Sequence, residues 1–276
     1  MTLDRRTGIG GSDIAAIVGM SPWKTAYDVW LEKTNQVEPA PMTARMKWGR
    51  RLEKVIAEAY QEETGRPVVW VDETRRHPER EWQIYTPDFL CIDEPRGGDC
   101  KTAGMDRWHE WGTPGTDEIP DVYLLQNQWY LSATGLPTWD IALLVAGHDF
   151  RIYTVKEDKE LQEALLYSAE KFWKDSVVGG HPPEIQHSDT VGRWLRQKFP
   201  KDKAPVRPAT AQEAELIASL RLARESRKTA EQIENDLIAK AKVAIGECAG
   251  IEAAVGTVTW RATRLGRRNF RASFFR

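Results

Sequence analysis

The chain has 276 residues, about twice the usual length of a single domain, which points to one elaborated domain with an appendage. A net charge of −2 excludes a global field that would draw in a polyanion, so any nucleic-acid contact must come from local basic patches. Cys91, Cys100 and Cys248 are too few for an iron–sulfur cluster and have no zinc or disulfide-framework spacing, and the longest apolar stretch, Ile141 to Ala146, is too short to cross a bilayer, so a soluble intracellular protein is expected.

In chain order, Arg5-Arg6-Thr7-Gly8-Ile9-Gly10-Gly11-Ser12-Asp13 runs into Ile14-Ala15-Ala16-Ile17-Val18. The pattern predicts a glycine-rich approach, a Ser/Asp cap and a short helix closed by Gly19. Free N–H groups at such a start, with arginines nearby and the Ser12 hydroxyl, suit a phosphate; a flexible N-terminal cap is the plainer alternative. Thr25 to Lys33 is amphipathic, and a proline-containing loop spans Val37 to Met42. A helix is predicted from Met46 to Glu63, with Trp48, Leu52, Val55, Ile56, Ala59 and Tyr60 as its apolar face and Glu53 at the edge. Glu53 is either a solvated or ion-paired acid or, if this helix packs beside the following hairpin, a metal ligand.

Pro67 to Asp72 reads as a strand. Trp82 to Ile92 alternates like a half-buried strand, Asp93-Glu94-Pro95-Arg96-Gly97-Gly98 is dense in turn formers, and Asp99-Cys100-Lys101-Thr102 resumes extended structure. In such a hairpin Asp99 and Lys101 share a face while Cys100 points into the packing on the other side. Pro87 suits a strand end or bulge, leaving Asp88 where the strands splay. Two carboxylates and an ammonium at one point suit a hard cation: Asp88, Asp99 and the Cys100 carbonyl as magnesium ligands, with Lys101 beside the attacking water. A surface hairpin with solvated charges is the competing reading; Glu157-Asp158-Lys159 repeats the acid–x–lysine spacing with no Pro-Asp before it.

Gly104 to Ile119 is predicted as a loop or short helix at the cleft rim. Ile119 to Ala133 is helical, with Gln126 and Tyr130 four apart on one face. Thr138 to Ala146 and Asp149 to Val155 predict a second hairpin with His148 in its turn, and Lys159 to Asp175 an amphipathic helix. The expected organisation is a core over 1–183, a linker over 184–208 and a C-terminal segment over 209–276. In that segment Thr210-Ala211-Gln212-Glu213 is a capping box before a long helix, or a bent helical hairpin, to about Ile245. From Gly256 to Arg276 the tail carries six arginines and no carboxylate, interleaved with Trp260, Phe270, Phe274 and Phe275. It reads equally as a phosphate- and base-contacting segment or as a basic strand closing the appendage.

Taken together, Gly8-Ile9-Gly10-Gly11-Ser12-Asp13, Trp48-Gly49 with Glu53, Pro87-Asp88, Asp99-Cys100-Lys101, and Gln126 with Tyr130 resemble, in order, the motifs of the lambda exonuclease and YqaJ-like viral recombinase family within the PD-(D/E)XK nucleases. The resemblance implies an α/β restriction-endonuclease-like core, a central mixed β-sheet flanked by helices, with a helical and β appendage. It implies a Mg²⁺-dependent 5′→3′ exonuclease on linear double-stranded DNA, Mn²⁺ substituting, in phage-type recombination. Asp88 and Asp99 would bind metal, Lys101 would position water, Glu53 would be a further acid and Gln126 an orienting group, with Arg5, Ser12 and Tyr130 on the substrate and its 5′-phosphate. It further implies a ring-shaped homotrimer, a single-strand annealing partner and a bacterial host cytoplasm. Asp99 stands where the closest family pattern has glutamate, one methylene longer. An endonuclease or structure-specific nuclease on the same core is one alternative; a DNA- or protein-binding module with a degenerate core is another.

Overall fold

The computed structural model describes residues 3–38, 41–71, 73–264 and 266–275. The chain divides into two compact units, Met1–Lys201 and Asp202–Arg276.

The first unit is built on five strands: β1 (Val68–Trp70), β4 (Phe89–Cys91), β5 (Arg96–Ala103), β6 (Thr138–Val145) and β7 (Asp149–Lys156), in the order β1-β4-β5-β6-β7. Only β5 and β6 pair in parallel, Asp99 opposite Ile141 and Lys101 opposite Leu143. The crossover a parallel pair requires contains helix α4 (Asp121–Thr134). Strand β6 is buried on both sides, as its continuous Ile141-Ala142-Leu143 run dictates. One face of the sheet receives α3 (Ala44–Thr64), whose Ile56, Ala57 and Tyr60 pack with Phe89, Cys100 and Ala142. The other carries α1 (Gly11–Ile17), α2 (Ala26–Lys33), α4 and α5 (Lys159–Lys171), meeting Trp139, Ile141, Leu143 and Val145. A two-stranded ribbon, β2 (Arg75–Arg76) with β3 (Ile84–Tyr85), completes the strands.

Several local expectations change. Trp82 to Ile92 is not one strand, because Thr86-Pro87-Asp88 divides it into β3 and β4, which belong to different sheets. Gly97 and Gly98 lie inside β5 and do not form the turn. A Cβ on Gly97 would land in the Trp139 ring and one on Gly98 in the Phe89 ring, so both glycines answer to packing. Helix α1 begins at Gly11, one turn earlier than expected, which places Ser12 and Asp13 within its first turn. The buried stripe of α3 is narrower than its apolar residues suggest: Trp48 and Val55 stay exposed. Residues 189–198 form α6 (Asp189–Lys198) rather than linker. Its cap residue Ser188 donates to Asp28 Oδ1 at 2.5 Å, and Val191 and Trp194 are buried, Trp194 edge-on to Tyr27.

The second unit is one continuous helix, α7 (Ala211–Ile245), followed by an antiparallel meander of β8 (Gly250–Ala253), β9 (Gly256–Ala262) and β10 (Arg268–Phe274). The capping box holds, Glu213 accepting from Thr210 N at 2.8 Å. No bend makes a helical hairpin of it. Within the arginine-rich tail, Arg268 is committed to structure, donating to the Gly246 carbonyl at 2.7 Å and lying 4.0 Å over the Trp260 ring.

Candidate active site

Strands β4 and β5 pair only through Phe89–Gly98 and Leu90–Gly97 and then part. Past that point Asp88 still closes on β5: its N–H donates to the Gly98 carbonyl at 3.2 Å, and its Oδ2 accepts from Cys100 N at 2.6 Å. Residues two apart on a strand present backbone groups to the same edge, so the Cys100 carbonyl leaves β5 on the Asp88 side. Asp99 and Lys101 share the α4 face of β5 and form an ion pair, and Lys101 Nζ lies 5.4 Å over the Tyr123 ring. Cys100 packs on the opposite face against α3, as alternation requires.

Electrostatically the cluster is short of positive charge. Burial, then the nearby Asp99, pushes the Asp88 carboxyl well above its usual range, and Lys101 only partly compensates. Burial opposes the Lys101 ammonium, but Asp99 and Asp88 together hold its affinity for the proton above normal. Asp99 Oδ2 is buried and faces the Lys101 ammonium, so one cation serves both carboxylates. Two crowded carboxylates that share a single ammonium, beside an outward carbonyl, are a donor set that fits a hard divalent cation. Among the described residues, no three His, Cys, Asp or Glu side chains group into a metal site, so Glu53 does not complete a three-carboxylate cluster with the aspartates. Glu53 is half-buried on α3 and near enough to help burial, Asp88 and Asp99 raise the Cys100 thiol.

The remaining expected residues gather on the α4 side. Gln126 Nε2 donates to Tyr130 Oη at 2.9 Å, and burial followed by Asp99 raises the Tyr130 phenol. Gly11 sits directly on this pair. A Cβ there would lie 2.7 Å from Tyr130 Cε1 and 3.0 Å from Gln126 Cγ, so the close approach of α1 to α4 needs glycine. The next residue, Ser12, accepts from Arg5 Nη2 at 2.9 Å, and both are exposed. The structure thus links Asp88, Asp99 and Lys101 through Tyr130 and Gln126 to the start of α1 and to Arg5.

The parts played by four residues escaped the sequence reading. Buried Asp13 accepts from Gly10 N at 3.1 Å and pairs with Lys24 at 3.0 Å and Lys33 at 2.7 Å. Lys33 also donates to the Arg5 carbonyl at 2.8 Å, so this triad holds the arm that carries Arg5. No local spacing announces it. Tyr123, by contrast, stands three before Gln126 and seven before Tyr130, the spacing of one helix face.

Residues 2–137 match the YqaJ-like viral recombinase domain, across every motif described above. That match takes in 136 of the 276 residues, just under half of the chain. The protein YqaJ of Bacillus subtilis (strain 168) is 31% identical over 201 residues, covering 71% of this chain and 62% of its own length. The chain therefore spans less than two thirds of that relative. LHK-Exo, crystallised in complex with dAMP, superposes with a TM-score of 0.51 at 17% identity, over 70% of this chain and 94% of that one. The shared fold is a mixed sheet flanked by helices. Among the described residues, no helix is long and apolar enough to cross a membrane.

Proposed function

We propose that the chain is a Mg²⁺-dependent exonuclease that degrades linear double-stranded DNA from a 5′ end. The observation that carries this reading is the meeting of Asp88 with Asp99 and Lys101 where β4 and β5 part. Asp88, Asp99 and the Cys100 carbonyl would hold the cation, which when bound supplies Lewis-acid stabilisation of the charge building on the phosphate; Mn²⁺ would substitute. Lys101 orients the attacking water and places positive charge beside the reacting phosphate. Tyr123 and Tyr130 limit its movement, and Gln126 fixes the Tyr130 hydroxyl. Glu53 is a further acid at the α3 side. Arg5 and Ser12 form a pair of donors suited to a terminal 5′-phosphate, which supports 5′→3′ direction. Family resemblance extends the proposal to phage-type recombination with a single-strand annealing protein and to a ring-shaped homotrimer.

The test is digestion of linear duplex DNA labelled separately at each end, beside covalently closed circles, with Mg²⁺ and an Asp88→Ala control. Release of the 5′ label as mononucleotide, with circles intact, 5′-phosphorylated ends preferred over hydroxyl ends and the variant inert, is expected. Cut circles would replace the exonuclease with an endonuclease, and 3′ label released first would reverse the polarity.

A further inference from the structure

Helix α7 is 35 residues long, roughly 50 Å, and of all its residues only Ile245 is buried. Along it Leu216, Ala223, Ala230, Leu237 and Ala244 recur every seventh residue, and Leu220, Arg227, Glu234 and Ala241 stand four after each of the first four. That is a heptad seam with two charged residues in its middle. Leu216, Leu220 and Leu237 are each more than half exposed on it, flanked by Ile217 and Ile233.

We infer that α7 pairs with α7 of a second copy of this chain as an antiparallel, two-fold coiled coil centred between Lys228 and Thr229. The charges decide the partner and the direction. A parallel, in-register pair would set Arg227 against its own copy and Glu234 against its own copy, two like-charge layers inside the seam. The antiparallel two-fold pair makes the sequence self-complementary, each contact occurring twice. Leu220 meets the partner's Leu237, and Leu216 meets the partner's Ala241. Arg227 lies over the partner's Ala230, one turn from the partner's Glu234. On the flank Ile217 faces the partner's Ile238, and Arg224 faces the partner's Glu231. The axis falls within one residue of the middle of α7, so the whole helix is used. A slip of one heptad either way sets Arg227 against Leu237 or Glu234 against Leu216, which fixes the register. Ala223 and Ala230 leave room beside the charged layer. The same-helix pairs Arg227–Glu231 at 3.7 Å and Arg221–Glu225 at 3.8 Å are loose and exposed, and worth little against this arrangement.

The test uses the full chain and does not depend on nuclease activity. By light scattering, Leu220→Glu halves the assembly mass, whatever state the first unit adopts, with helix content unchanged. Arg224→Glu weakens self-association about tenfold, and adding Glu231→Arg restores it. In a Cys248→Ser background, the Leu220→Cys/Leu237→Cys double variant forms disulfide-linked dimers. Leu220→Cys alone does not, since its two copies lie ~25 Å apart along the antiparallel pair. An unchanged mass with Leu220→Glu, or crosslinking by Leu220→Cys alone, overturns the proposal.

Discussion

The first unit buries acids in two different ways. Asp140 on β6 is saturated: Tyr60 donates to it at 2.6 Å, Arg96 at 2.5 Å and Thr154 at 2.8 Å. Asp13 is likewise enclosed by Lys24, Lys33 and the Gly10 amide. Asp88 and Asp99 instead crowd each other and share the single ammonium of Lys101. A buried charge that only holds a fold together is neutralised by the fold itself, because an unpaired one costs several kcal/mol. A buried pair left under-neutralised marks a place where something else brings the missing charge.

The sharpest way to break this contrast is to remove one acid of each kind. Asp88→Asn should lower hydrolysis by about 10³-fold or more while leaving thermal stability unchanged or raised, because the neutral amide relieves the repulsion with Asp99 and Lys101 keeps its ion-pair partner. A folded variant with normal turnover would sink the assignment. Asp140→Ala should do the opposite: about 3–5 kcal/mol of stability lost in urea unfolding, since Arg96 and Tyr60 keep their buried groups without the acceptor, with activity per folded molecule retained.

A smaller effect separates the clusters by ligand. Magnesium at a hundredfold excess over its Kd should stabilise the wild type by about 2.7 kcal/mol, read as a rise in Tm. That rise should vanish in Asp99→Asn and persist in Asp140→Asn; persistence in both would place the cation elsewhere. The smallest effect is in acid. Burial alone would raise the Asp13 carboxyl, but Lys24 and Lys33 hold it well below its ordinary range. Its folded value is therefore below its unfolded one, and between them the unfolded chain binds more protons. The stability it contributes is complete above the unfolded carboxylate range and is lost as pH falls towards the folded value. Asp13→Asn should flatten that part of the acid-unfolding curve, which an unchanged pH dependence would contradict.

How much of this was legible depended on sequence distance. Asp99 and Lys101 sit two apart, and Gln126 and Tyr130 four apart, so strand and helix periods alone assign their faces. Pro87 announced the break that brings Asp88 to the strand edge. The partnerships of Asp13 with Lys33 and of Tyr60 with Asp140 span 20 and 80 positions and have no period to betray them. Gly97-Gly98 misled for a different reason. Turn formation and ring packing both ask for a missing Cβ, and only the rings of Trp139 and Phe89 tell the two apart. On α7, Arg227 interrupts the apolar seam, and because the helix is continuous it becomes half of a charge pattern with Glu234.

Those two glycines also set a limit on engineering. Gly98 lies against Phe89, whose chain neighbour is Asp88, and is itself followed by Asp99. A side chain introduced there would push the ring, and with it the backbone on which one acid rides, away from the other. A saturation library would find this spot intolerant although it carries no reactive group, and stability screening alone could not rescue activity, because the same displacement costs both.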